Sequence, residues 1–256
     1  MKRFEGKTAI VTGSTSGIGL GIARKLASEG GHVIINSYRE RKDIEEILDY
    51  ITEEGGEAHF IRADIGKMDE VQELIREAFE RFEKIDILIN NAGIQMRSSF
   101  LEVTEKDFDR VLSVNLKGVY FTIQAFVKHA IDREIKGVIV NNSSVHEILP
   151  FPHFDSYVMS KGGMQMMMRN LAVELAPLGI RINNVAPGAI QTQINRALDE
   201  DPELMGHLLQ KISMGRMGNV EEVAAVVAFL ASDEATYVTG STYLVDGGLA
   251  YHYKEQ

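Results

Sequence analysis

The sequence predicts an α/β fold, a doubly wound domain spanning residues 1–256 on a parallel sheet of about seven strands. Three observations predict it. Short β-branched runs alternate with longer helical patterns through most of the chain. The runs are apolar at consecutive positions, as expected of strands covered by helices on both faces. A glycine cluster follows the first run and opens the first helix.

KTAIVTG (7–13) ends in glycine and reads as a buried strand. GIGLGIARKLASEGG (17–31) sets Ile18, Ile22 and Leu26 at helical spacing and stops at a glycine pair. HVIIN (32–36) is the second strand, and RKDIEEILDYITEEGG (41–56) an amphipathic helix. EAHFIRAD (57–64), the helix at 68–82 and the strand IDILINNAG (85–93) follow. One long helix is expected over 104–131, with Thr104 as its cap. KGVIVNNSS (136–144) is a fifth strand, and 157–176 a helix halted before Pro177. GIRINNVAPG (179–188), a helix at 220–232 and STYLVDGG (241–248) complete the series. Residues 189–219 carry the weakest strand signal and are expected to form a lid or small helical excursion over substrate.

The chain has 256 residues and a formal net charge of −10. Such a surface does not draw in nucleic acid or anionic membrane through its overall field. There are no cysteines, so disulfides, zinc-thiolate sites and thiol catalysis are excluded. No apolar run is long enough to span a bilayer, and a cytoplasmic protein is the default. The histidines show no paired ligand spacing, so no catalytic metal is expected.

Ligands of such folds bind beyond the carboxyl ends of the strands. The first such edge carries Gly13, Ser14, Thr15, Ser16, Gly17, Ile18 and Gly19, with glycines spaced Gly-x-x-x-Gly-x-Gly. The glycines let backbone approach a pyrophosphate, and the helix N-terminus supplies N–H donors. The Rossmann-type reading follows. The second strand ends at Asn36 and Ser37 without a carboxylate, and Arg39 can pair with a 2′-phosphate or stand as a solvated loop charge. NADP, or use of both NADP and NAD, is therefore favoured over strict NAD. Asp64 can meet the adenine edge or cap the next helix, with Ile65 beside it.

The chain resembles the classical short-chain dehydrogenase/reductase family. The matching pieces are TGSTSGIG (12–19), NNAG (90–93), Asn115 in SVNLKG, NNSS (141–144), YVMSK (157–161) and NNVAPGAIQT (183–192), in family order over nearly the whole chain. The likeness is strongest to bacterial sugar dehydrogenases that act on glucose. It implies that Gly13, Gly17 and Gly19 hold the pyrophosphate and that Asn91, Ala92 and Gly93 line the cofactor. It implies a catalytic set of Ser144, Tyr157, Lys161 and Asn115, and a nicotinamide end formed by Pro187, Gly188, Ile190 and Thr192. It also implies a homotetramer built through the long helices and the last strand.

Physical chemistry supports the Tyr157–Lys161 pair independently. A phenol with a pKa of about 10 must lose roughly 3–4 kcal/mol of protonation preference to act near neutrality. An ammonium ~4 Å away supplies about 4 kcal/mol at an effective dielectric near 20. Four residues apart on a helix, the two side chains share one face. Ser144 ends the fifth strand, where its hydroxyl can steady the reacting oxygen.

Gln95, His146, Glu147 and Asn195 are polar residues expected near the site, and they suit a sugar hydroxyl. His146 and Glu147 read equally as surface-turn residues. The leading expectation is an aldose 1-dehydrogenase giving a lactone. A 3-oxoacyl-carrier-protein reductase is the alternative, with a nucleotide-binding sensor lacking catalysis as a third reading. Met164, Met166, Met167 and Met168 are expected mostly in packing roles.

Overall fold

A computed structural model describes residues 2–53, 55–192 and 201–252. Seven parallel strands form one sheet in the order β3-β2-β1-β4-β5-β6-β7. They are β1 (Thr8–Val11), β2 (His32–Ser37), β3 (Glu57–Arg62), β4 (Ile87–Asn90), β5 (Val138–Asn142), β6 (Arg181–Pro187) and β7 (Thr242–Val245). The doubly wound expectation holds. The order reverses between β1 and β4, which pair Val11 with Ile89, so the crevice opens at their carboxyl ends.

Helices α1 (Gly17–Ser28) and α2 (Ile44–Thr52) cover one face. Ile22 and Leu26 of α1 pack there with Val223 and Val227 of the last helix. Gly30 and Gly31 stop α1, their N–H groups donating to Ala27 and Leu26 carbonyls at 2.8 and 3.0 Å. Helix α3 (Met68–Arg81) covers the other face, placing Leu74 and Ile75 against Phe126 and Met168 in one core.

The expected long helix is interrupted. Helix α4 (Glu105–Leu112) gives way to a π-helical turn, Ser113–Gly118, before α5 (Val119–Asp132) resumes. Thr104 caps α4 as expected, accepting the Asp107 N–H at 3.1 Å. Within the turn the backbone lies tight against Ile65. A side chain at Gly118 would strike the Ile65 carbonyl oxygen and lie 2.8 Å from Ile65 Cγ2. The wider turn also commits Asn115 to the backbone of Ile94.

Helix α6 (Asp155–Leu175) starts two residues before the expected tyrosine, and Met164, Met168 and Ala172 bury its inner stripe. Met167 is partly buried and Met166 exposed. The region expected as a lid holds a helix, α7 (Pro202–Leu209), none of whose residues is buried. Ile190 and Gly218 pair at the base of this excursion. Residues 193–200 lie outside the described residues. Helix α8 (Val220–Ala231) begins with a capping box between Asn219 and Glu222. Most strands end short of the sequence estimate because the residues after them turn away into loops. No helix among the described residues is long and apolar enough to cross a membrane.

Gly118→Ala is expected to destabilise the protein by about 1–3 kcal/mol, since the added methyl must displace backbone. Thermal unfolding measures this, and an unchanged Tm contradicts the tight approach of Gly118 to Ile65.

Candidate active site

The glycine loop joins β1 to α1. Gly13 and Gly17 hold φ of 61° and 54°, the left-handed region. Thr12 was not singled out from sequence, yet its hydroxyl organises the loop by accepting the N–H groups of Asn91 and Ala92 at 3.0 Å. Asn91 returns its side-chain amide to the carbonyls of Thr12 and Gly13, both at 2.9 Å. The loops after β1 and β4 are thereby clamped together. Ser14 is fully buried and bonds Val11 and Asn36, while Thr15 is buried beside it. Ser16 stands at the N-cap of α1 in extended conformation, makes no capping bond, and no acidic residue follows in the first turn. The first N–H donors of α1 are left uncapped at the positive end of the helix dipole. Ile18 packs on the core beneath.

A dinucleotide fits this cradle. A methyl placed on Gly17 would approach nothing nearer than Thr192, at 3.8 Å, so the loop opens on free space. A methyl on Gly19 would come 2.5 Å from the Gly13 carbonyl, so α1 is packed tightly against its own loop. Uncapped N–H donors and free space suit a pyrophosphate.

At the tip of β2, Asn36 is committed to structure. Its amide donates to Ile61 and Ala63 carbonyls at 3.1 Å and its oxygen accepts the Gly13 N–H at 3.3 Å. Arg39 is exposed, its guanidinium 4.9 Å over the Tyr38 ring. Arg41 escaped the sequence reading. It reaches the Thr15 carbonyl at 3.5 Å while paired with Asp43. The signal was present in the run YRERK, where two arginines follow the strand end. Asp64 accepts from Gly66 N at 2.9 Å and pairs with Arg110 at 3.0 Å, so its carboxylate is already engaged. Ile65 is buried under Gly118.

The tyrosine and lysine come together as expected. Lys161 Nζ lies 5.6 Å from the centre of the Tyr157 ring and donates to the Asn142 carbonyl at 2.9 Å. Ser144 caps the short turn after β5, accepting the His146 N–H at 3.2 Å, and its hydroxyl lies on the side of Tyr157. Asn115 Oδ1 accepts the Ile94 N–H at 2.8 Å, while its amide donates to the Ile94 carbonyl at 2.7 Å. Asn115 and Lys161 meet around Gly93, where a methyl would stand 3.5 Å from Asn115 Oδ1 and 4.0 Å from Lys161 Nζ.

Electrostatics correct the simplest form of the expectation. Burial pushes the Tyr157 phenol above its ordinary value, and the Ser144 hydrogen bond only partly offsets it. Burial pushes Lys161 down to about 8, against the field of Glu147, which raises it. Without cofactor, lysine therefore deprotonates before tyrosine. An ammonium that has lost its proton cannot favour a phenolate.

The other assigned residues fall into place unevenly. Pro187 closes β6, and Gly188 N donates to Val245 at 3.0 Å with Asp246 packed against it. Ile190 is buried, and Thr192 stands beside Gly17. Gln95 is exposed. Asn195 lies outside the described residues. His146 is half-buried, face to face with Phe151 at 4.1 Å and edge-on to Tyr157 at 6.4 Å. Burial holds its imidazole below the ordinary value. Phe151 stacks in turn on Phe154 at 4.1 Å. Glu147 was expected near a sugar, or as a surface-turn residue. It is instead buried, bonded to Gln165 and Asn184. A separate hollow lined by Thr8, His32, Phe82 and Arg133 lies at the opposite ends of the strands and contains none of these residues.

A family model described as enoyl-(acyl carrier protein) reductase matches residues 13–250. The 3beta-hydroxysteroid dehydrogenase 1 of Eggerthella lenta is 43% identical over 97% of this chain and 95% of its own. The glucose 1-dehydrogenase of Gluconobacter oxydans is 40% identical over 98% of this chain and 94% of its own. A putative 2-deoxy-D-gluconate 3-dehydrogenase from Agrobacterium tumefaciens, solved with bound NADP, superposes with a TM-score of 0.90. It is 36% identical, covering 97% of this chain and 98% of that one.

Gly17→Ala should leave the fold intact, at a backbone cost of about 1–2 kcal/mol. Affinity for NADPH should nevertheless fall at least roughly tenfold, because the methyl fills the cradle. Fluorescence titration and thermal unfolding read the two effects. Unchanged affinity removes Gly17 from the cradle.

Proposed function

The chain belongs to the short-chain dehydrogenase/reductase family and is an NAD(P)-dependent oxidoreductase acting on CH–OH donors; from that premise we propose that its substrate is a sugar and that it oxidises the C1 hydroxyl of an aldose to a lactone. The observation that carries the reading is Tyr157 beside Ser144, with Lys161 Nζ 5.6 Å from its ring centre and the His146 ring edge-on at 6.4 Å. Tyr157 takes the hydroxyl proton and Ser144 hydrogen-bonds the reacting oxygen. Lys161, tied to Asn142, supplies the positive field that lets Tyr157 release its own proton first. A nicotinamide dinucleotide held in the cradle would supply the hydride acceptor. Gly13 through Gly19, with Asn91, Ala92 and Gly93, would hold it, with Pro187, Gly188, Ile190 and Thr192 at the nicotinamide end. Arg39 and Arg41 favour the 2′-phosphate of NADP.

His146 offers a ring nitrogen to a sugar hydroxyl beside Tyr157. Gln95 and Asn195 remain the other proposed sugar contacts. A second reading has a specific observation behind it. The Phe154, Phe151 and His146 rings stack in series toward Tyr157 and present an apolar wall, which suits a fused-ring alcohol such as a 3β-hydroxysteroid.

A homotetramer is part of the same proposal. Met159, Met166 and Val173 form an exposed stripe at seven-residue spacing on α6, and Tyr120 and Phe121 stand exposed on α5. A cytoplasmic setting suits a chain without cysteines.

Tyr157→Phe should reduce turnover at least roughly a thousandfold while NADPH affinity stays within about twofold. Activity above a few per cent sinks the assignment. Initial rates against aldoses, aldonic acids and 3β-hydroxysteroids, each with NADP and NAD, decide substrate and cofactor. Oxidation of the steroid without response to any aldose selects the second reading. In the same assay Arg39→Ala with Arg41→Ala should raise KM for NADP and leave that for NAD unchanged.

A further inference from the structure

Glu147 presents an unusual arrangement. It is 8% exposed, and amides rather than cations meet both its oxygens. Gln165 Nε2 donates to Oε1 at 2.6 Å and Asn184 Nδ2 to Oε2 at 3.2 Å.

The Asn184 contact is the end of a longer chain. Asn90 Nδ2 donates to Asn141 Oδ1 at 2.9 Å, and Asn141 Nδ2 donates to Asn184 Oδ1 at 3.0 Å. All three asparagines are buried, one on each of β4, β5 and β6, at positions paired across the sheet. Every amide gives its N–H toward Glu147. The far end, Asn90 Oδ1, is buried without a hydrogen-bond partner. The direction of the chain follows from the carboxylate: reversed amides would set the Asn184 oxygen against Glu147. Three aligned amides therefore terminate on the Glu147 carboxylate inside the protein.

That charge lies next to the buried lysine. Gln165 follows Lys161 by one helical turn, so the carboxylate it holds sits along the same face of α6. The Glu147 backbone lies against Gly162. The groups facing Lys161 can be named in full from each packed element. Tyr157 is on its own helix and Glu147 on the turn after β5, with His146 beyond Tyr157. The loop after β4 and the π-helical turn present Gly93 and Asn115, which do not titrate. Glu147 is the titratable group among these that favours an ammonium, alongside the Asn142 carbonyl that accepts from it at 2.9 Å.

We propose that Glu147 is a positioning residue: the asparagine ladder and Gln165 fix its carboxylate where its field keeps the Lys161 ammonium charged. The proposal rests on the reading of Lys161 as the proton partner of Tyr157. It deepens that reading by adding a residue that touches neither substrate nor cofactor.

The test follows the lysine itself, in cofactor-free protein. Lysine carrying ¹³C at Cε is incorporated, the Lys161 resonance is assigned by its loss in Lys161→Met, and the signal is titrated. The wild type should titrate near about 8. Glu147→Gln, which keeps the shape and removes the charge, should move the titration down by about one unit or more. The double exchange Glu147→Gln with Gln165→Glu returns a carboxylate beside the ammonium and should restore it. The alkaline limb of kcat/KM for alcohol oxidation should move in parallel. A folded Glu147→Gln protein with an unmoved Lys161 titration overturns the proposal. Should that variant not fold, Glu147→Asp replaces it, with a smaller downward shift expected and an unmoved titration again decisive. Substantial turnover by Lys161→Met would instead overturn the catalytic reading, and the titration result would stand independently.

Discussion

The architecture of the site depends on one cation being kept inside the protein. Lys161 is 4% exposed and sits where the central strands end. Burial opposes its charge, and a neutral amine would leave Tyr157 as an ordinary buried phenol. Several features of the surrounding structure act against that loss. The Asn142 carbonyl accepts directly from the ammonium, and Glu147 adds a negative field from the turn after β5.

The same contacts couple the cofactor cradle to the chemistry. The Asn142 side chain donates to Asn91 at 2.9 Å, and Asn91 holds the carbonyls of Thr12 and Gly13. The glycine loop is thus linked through the Asn91 and Asn142 amides to the residue whose carbonyl binds Lys161. Buried polar networks of this kind hold geometry tightly, because any broken bond leaves an unsatisfied group in low dielectric. The parallel register brings this about. Asn90, Asn141 and Asn184 are neighbours only because β4, β5 and β6 pair at those positions.

The break between α4 and α5 serves the same end. A regular helix through 104–131 would carry Asn115 past the crevice on ordinary spacing. The π-helical turn instead aims its side chain at both backbone groups of Ile94, fixing the loop that follows β4. Gly118 lets α5 lie against Ile65, and so close to the sheet that Asn115 can reach the loop. The excursion carrying α7 is pinned at its base by Ile190 and Gly218, leaving Thr192 beside the glycine loop.

The fold class, the strand order of events along the chain and the identity of the Tyr157–Lys161 pair were legible in the sequence by itself. Continuous apolar runs, glycine stops and a four-residue helical interval are local signals, and local signals survive without knowledge of neighbours. What only the tertiary structure decided was set by contacts distant in the chain. The fate of Glu147 turned on Asn184 and Gln165, far along the chain, which drew a residue that read as a substrate or surface-turn group into the interior. Asn36 went to Ile61 and Ala63, and Arg41 reached Thr15. The direction of both central pKa shifts belonged to the same class. Sequence spacing places an ammonium beside a phenol, but desolvation depends on everything packed around them, and that is known only once the chain has folded.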